Sequence, residues 1–235
     1  MELPVQQGVR LYEKKEGIAV SAVALKWIAV GLMVVDHIGT VLVPELLMLR
    51  LIGRISFPIF AFLAAESVAH TRNLPRFLLR LLGFALIAEV PFRLCFPDFS
   101  GIYELNNVLF TLLLGSLGCL IWKKSTDRPW YAALALLPII AAQVLGCDYG
   151  AYGAGAVLLF FALRHTSWAV RGSCFSLLTL LYYIGTLNWT QLYALAAVAL
   201  LPVYDGTRGK VRMKYFFYIF YPAHLLVLWG LGQIL

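Results

Sequence analysis

The chain of 235 residues is 61% hydrophobic and only 13% charged, against about 45–50% and about 25% in an ordinary soluble domain. One soluble core of this length cannot bury so much apolar surface, so lipid is the expected solvent. The net charge of +7 does not point to nucleic acid, because the basic residues sit in short loops between apolar runs and form no phosphate-binding stripe.

Residues 1–17 are mixed-charge and polar, and the apolar run that follows is too long for a cleavable signal. The expectation is therefore a cytoplasmic N-terminal segment over 1–19 and a single transmembrane domain over 20–235. A spanning helix needs about 20 mostly apolar residues. Nine candidates follow in order, at roughly 20–43, 49–69, 75–94, 107–122, 130–146, 149–164, 167–185, 188–204 and 214–234. The fourth and sixth are short enough for a tilted or half-inserted segment. The predicted fold is thus an all-α, polytopic helix bundle.

Charge gives this series a direction. Arg10, Lys14, Lys15 and Lys26 precede or open the first run. Arg72, Arg76 and Arg80 follow the second, and Lys123, Lys124 and Arg128 the fourth. Arg164 and Arg171 flank the sixth-to-seventh connection, and Arg208, Lys210, Arg212 and Lys214 precede the ninth. Of the 19 basic residues, all but Arg50, Arg54 and Arg93 fall on alternate connections. The positive-inside rule then predicts a cytoplasmic N-terminus and an external C-terminus.

The three exceptions mark a candidate site. Arg50 and Arg54, spaced i, i+4, share a helix face near the outer start of the second run. Arg93 closes the third run with Glu89 one turn below it, and Asp36 and His37 lie toward the outer end of the first. Ionisable groups in a span are costly unless paired or lining a wet cavity. One polar cavity among runs one to three is the simplest account, with Asp36 or Glu89 neutralising Arg54. The bland alternatives are a structural ion-pair network, and snorkelling for Arg50 and Arg93. Adjacent Asp36 and His37 point about 100° apart and are not a dyad by default.

Further polar groups share that side: Asp98, Glu104, Asn106 and Asn107, and the turn Cys147-Asp148-Tyr149-Gly150. Asp148 serves equally well as a helix cap, and the tyrosines as interfacial belt residues. At the inner end Glu66 and His70 are i, i+4, and His70-Thr71-Arg72-Asn73 is either a solvated turn or an anion-binding one. His224, midway along the ninth run, needs a partner or a task, and Pro222 should kink that helix. Cys95, Cys119, Cys147 and Cys174 are widely spaced and read as small packing residues, and no metal-ligand spacing appears. P-loop, dinucleotide, zinc-protease and serine-elbow motifs are absent.

The stretches Leu25-Lys26-Trp27-Ile28 leading to Asp36-His37-Ile38-Gly39, and Leu51-Ile52-Gly53-Arg54-Ile55-Ser56-Phe57-Pro58, resemble the TraX family. So do Glu66 with His70-Thr71-Arg72-Asn73, Ala88-Glu89-Val90-Pro91-Phe92, Asn107-Val108-Leu109-Phe110-Thr111, Asp148-Tyr149-Gly150 and Tyr221-Pro222-Ala223-His224. The resemblance covers nearly the whole chain from residue 25. The family's namesake acetylates the N-terminus of a conjugative pilin, so the resemblance implies a membrane-embedded acetyltransferase using acetyl-CoA. The chain is also similar to integral-membrane acyltransferases in which a histidine ending an early helix works beside arginines.

By that analogy His37 is the candidate base, with Asp36, Arg54 and Glu89 about it. Arg50, Glu66, His70, Arg72, Arg76, Arg93, Asn107, Asp148, Tyr149 and His224 are candidate binding residues. The expected partners are acetyl-CoA, an amine or hydroxyl acceptor (a pilin N-terminus, surface glycan or lipid) and the bilayer. A homo-oligomer is left open. The rival readings are a proton-coupled small-molecule transporter or flippase, and a non-catalytic assembly protein.

Overall fold

The computed structural model describes residues 19–97, 104–209 and 215–234. Residues 1–18 of the expected N-terminal segment, Asp98, and the basic residues Arg10, Lys14, Lys15, Lys210, Arg212 and Lys214 lie outside the described residues. Among the described residues the chain is helical, and the one isolated bridge pairs Val20 with Tyr204.

The helices are α1 (Ala22–Val41), α2 (Leu47–Gly53), α3 (Ser56–His70), α4 (Leu74–Cys95), α5 (Val108–Lys123), α6 (Tyr131–Leu134), α7 (Leu137–Val144), α8 (Gly150–Ala162), α9 (Trp168–Thr186), α10 (Ala197–Leu200) and α11 (Phe216–Gly232). Several starts are written in the sequence. The side chains of Ser21, Asn73, Asn107 and Ser167 accept hydrogen bonds from the first-turn amides of α1, α4, α5 and α9, which satisfies donors the helix leaves open.

Each predicted apolar run is helical, but three are not single α-helices. The second run breaks at Arg54–Ile55 into α2 and α3. Pro58 explains the break, since it offers no N–H to the Arg54 carbonyl and its ring crowds that oxygen. The fifth run parts into α6 and α7 for the same reason, with Pro138 four residues after Leu134. In the eighth run, 3-10 segments at Trp189–Ala196 and Leu201–Val203 flank α10. A 3-10 helix rises about 2.0 Å per residue instead of about 1.5 Å, so this short run reaches about 28 Å, close to the hydrocarbon thickness of a bilayer.

Successive runs reverse direction. Near its start α1 meets α11 through Trp27 against Phe216 and Phe217, and near its end through His37 against His224, so the two are parallel. Phe84 on Tyr218 and Phe96 on His37 set α4 in the same direction. Ser56 Oγ donates to the Ala29 carbonyl at 2.7 Å and Arg54 meets Asp36, which runs α3 against α1. One end of the bundle gathers Asp36, His37, Arg54, Asp148 and Tyr182. The other, basic end carries Lys26, Arg72, Arg76, Arg164 and Arg171.

Among the described residues three helical stretches are long and apolar enough to cross a membrane: Ala22–Val41, Leu47–His70 (α2 continued by α3) and Val108–Thr126. Shorter apolar helices cover Tyr131–Val144, Gly150–Ala162, Trp189–Val203 and Phe216–Gly232. The exterior is apolar too, with Leu79, Ile87, Val90, Val144, Ile184, Ile219 and Val227 exposed. Such a surface suits lipid and not water.

Candidate functional site

The break at Arg54 lets the guanidinium turn into α1. Arg54 Nη2 lies 2.6 Å from Asp36 Oδ1 and 2.7 Å from Oδ2, and both residues are buried. Arg50, one turn earlier, reaches Asp36 Oδ2 at 3.3 Å and donates to Thr40 Oγ1 as well. The close approach depends on Gly53, where an added Cβ would fall 2.2 Å from Asp36 Cβ. Asp36 is thus the counter-charge to both arginines. Arg54 Nε is buried with no hydrogen-bond partner among the described residues.

His37, the next residue on α1, turns toward α11. Its Nδ1 is 2.8 Å from His224 Nε2, and His224 Nδ1 is 3.0 Å from the Phe220 carbonyl. The rings are nearly coplanar, 6° apart with centroids 5.1 Å apart, so they meet edge to edge. A carbonyl only accepts, so His224 Nδ1 must donate to Phe220. In a neutral imidazole Nε2 is then the acceptor, and His37 Nδ1 must be the donor to it. The chain of bonds leaves His37 Nε2 with its lone pair free, the form a general base requires. Phe96 packs edge-on against the His37 ring at 5.1 Å.

Asp36, His37, Thr40, Arg50 and Arg54 form one wall of a cavity of about 540 Å3. The turn between α7 and α8 forms the opposite wall. Tyr149 there takes a left-handed backbone, φ 61°, with Gly150 at φ 47°; for a tyrosine this is strained. Its ring stacks on Phe57 at 4.0 Å and lies 5.8 Å from the Arg54 guanidinium. Thr111 Oγ1 donates to the Asp148 carbonyl and fixes the turn. Burial pushes the Asp148 carboxyl up to about 7, with Arg54 opposing the shift. Gln143, Tyr182 and Thr186 complete the wall; these were not singled out in the sequence, because single polar residues near helix ends carry no spacing signal.

Glu89 and Arg93 stand apart from this group. Arg93 Nε bonds Glu89 Oε1 at 2.9 Å, and Asn107 Nδ2 bonds Glu89 Oε2 at 2.7 Å and the Ala85 carbonyl at 2.9 Å. Fully buried Asn107 caps α5 with its other amide atom. Glu89 is thus committed to bracing α4 on α5, and the expected neutralisation of Arg54 falls to Asp36 alone. Glu66 and His70 pair at 3.4 Å at the basic end, with the His70 side chain 70% exposed. Arg72 and Arg76 are exposed there too, so these four do not line the cavity. Among the described residues no group of three or more His, Cys, Asp or Glu is arranged to hold a metal.

A helical bundle with an apolar exterior, enclosing a histidine pair, a buried carboxylate–diarginine cluster and a polar cavity, is that of a membrane protein. The chain belongs to the TraX family, whose family model, TraX protein, matches residues 21–232. It is similar to a Dichelobacter nodosus protein named "Probable fimbrial assembly protein FimC, serogroup H1", 28% identical over 88% of this chain and 94% of that one. It is similar to Escherichia coli Protein TraX, 29% identical over 87% of this chain and 84% of that one. No solved structure matches.

Proposed function

We propose that the protein is an acetyl-CoA-dependent acetyltransferase working inside the membrane. The observation that carries this is the hydrogen-bond chain from Phe220 through His224 to His37, which frees His37 Nε2 beside the Asp36–Arg54 pair. In the reaction an acceptor N–H or O–H attacks the thioester carbonyl carbon and His37 Nε2 takes the proton. Negative charge then grows on the carbonyl oxygen, and Arg54, held by Asp36, stabilises it. On collapse the C–S bond breaks and the thiolate leaves with the proton from His37. Acetyl is thus exchanged for hydrogen between donor and acceptor.

The TraX and fimbrial-assembly names of the relatives favour a pilin-related acceptor, such as a pilin amino terminus. The alternating basic connections support nine spans in the cytoplasmic membrane, N-terminus inside and C-terminus outside. With that orientation the cavity opens outward.

The test is transfer of labelled acetyl from acetyl-CoA by purified protein in lipid. Wild type should acetylate a pilin-like amino terminus, and the His37→Ala variant, shown to be folded, should not. Full activity of that variant overturns the base. If acetyl-CoA neither stabilises nor reacts with wild type, a proton-coupled carrier becomes the better reading.

A further inference from the structure

A second space lies on the basic side of the histidine pair and shares no wall residue with the charged cavity. It is a narrow crevice of about 120 Å3 between α1, α3, α4, α5 and α11. Lys26 stands at one end, its Nζ 5.6 Å from the Phe217 ring. Val30, Leu81 and Tyr218 wall the middle, and Met33 and Tyr221 close the other end. Met33 is one turn below His37 on α1, and the Tyr221 ring is 5.6 Å from that of His224. The crevice therefore runs from the basic end of the bundle to Met33 and Tyr221, the layer of side chains next to the histidines.

Its entrance is cationic. Lys26 is half-buried and makes no salt bridge among the described residues. Arg208 lies close enough to act on it. Arg80 bonds the Tyr218 hydroxyl and keeps a buried Nε without a partner. The nearby carboxylate of Asp205 is used by the Thr207 amide at 2.7 Å. Half-buried cations such as Lys26 and Arg80, at the mouth of an apolar crevice, call for an anion.

Taking the proposed acetyl transfer as given, we infer that this crevice is the donor channel, holding the pantetheine arm of an acyl-CoA with its phosphate at Lys26, Arg80 and Arg208. Length agrees. From Lys26 to His37 is eleven helical steps, about 16 Å. The arm from phosphate to sulfur is about thirteen bonds, about 16 Å when extended. Displacement of the flexible Met33 side chain brings the thioester to His37 from the basic end, while the acceptor meets it from the charged cavity. A lipid tail would fill the same slot, but it would bring no reacting group to the histidines.

Wild type and two variants, each with two donors, make the main test. Lys26→Glu reverses the charge at the entrance, and Leu81→Trp fills the middle. Each is compared with wild type using acetyl-CoA and using the acetyl thioester of N-acetylcysteamine, which has no phosphate and a short arm. The expected result is a KM for acetyl-CoA raised at least tenfold in both variants, with turnover of the short thioester within about threefold of wild type. Leu81 is buried, so Lys26→Glu decides alone if the tryptophan variant does not fold. Unchanged acetyl-CoA kinetics in Lys26→Glu overturns the channel while transfer by wild type stands. Protection of a crevice cysteine, Met33→Cys, from alkylation by oleate but not by CoA also overturns it, in favour of a lipid slot. Absence of transfer by wild type would instead remove the enzymatic reading on which the channel rests.

Discussion

His37 and His224, 187 positions apart in sequence, are joined edge to edge at 2.8 Å, and the Phe220 carbonyl fixes the proton on the far side of the pair. On the proposed function the bond makes His224 a positioning residue. Removing a general base costs about 10²–10⁴ in rate, so His37→Ala should lose that much transfer. His224→Ala should lose less, about tenfold to a hundredfold, because it frees the His37 ring to turn. His224→Gln should recover part of the loss, since an amide oxygen also accepts from His37 Nδ1. Rates with labelled acetyl-CoA decide, and equal losses in the Ala and Gln variants would contradict the positioning role.

The Asp36–Arg54 pair is buried on both sides. Removing one partner leaves an uncompensated charge, at a cost of about 3–5 kcal/mol. Asp36→Ala and Arg54→Ala should each lower thermal stability strongly, whereas the double variant should cost clearly less than the two added together. Additive losses would mean that the charges are not coupled.

Gly53 and Gly31 make a matched comparison. A Cβ at Gly53 meets Asp36 at 2.2 Å, but one at Gly31 meets nothing within 4 Å. Gly31→Ala in α1 should be neutral, or stabilising by about 0.5–1 kcal/mol. Gly53→Ala should destabilise and, by shifting Asp36, lower transfer as well. The midpoint of thermal unfolding in detergent separates them.

Asp148 supplies a pH signature. Its carboxyl is pushed up to about 7 by burial, with Arg54 opposing. The folded state therefore holds a proton that the unfolded state releases near pH 4. That contribution is full below about pH 4 and is lost as pH rises to about 7. Asp148→Asn cannot ionise, so its unfolding midpoint relative to wild type should rise between pH 5 and pH 8, by about a few degrees. A difference that stays flat over this range would place the carboxyl at its ordinary value.

The helical runs were legible because apolar length and basic loops are properties of sequence alone. The cluster of Asp36, Arg50 and Arg54 was legible for a related reason: charges that break the loop pattern must find partners. Two things were not. The break at Arg54 was signalled by Pro58 but passed over within a continuous apolar run. The His37–His224 bond left no local trace, since it depends on how α11 lies beside α1. Glu89 shows the converse: at the expected depth near the arginines, it is taken up by Arg93 and Asn107 from its own side of the bundle.

The distance in sequence between the two histidines bears on biogenesis. Asp36, Arg50 and Arg54 lie on consecutive helices in one short stretch of chain, so those helices can neutralise each other's charges as they enter the membrane. The imidazole that orients His37 arrives only with α11. On the proposed function, a partly synthesised chain would hold its ion pairs without an oriented base, and reactivity would begin only when α11 docks against α1.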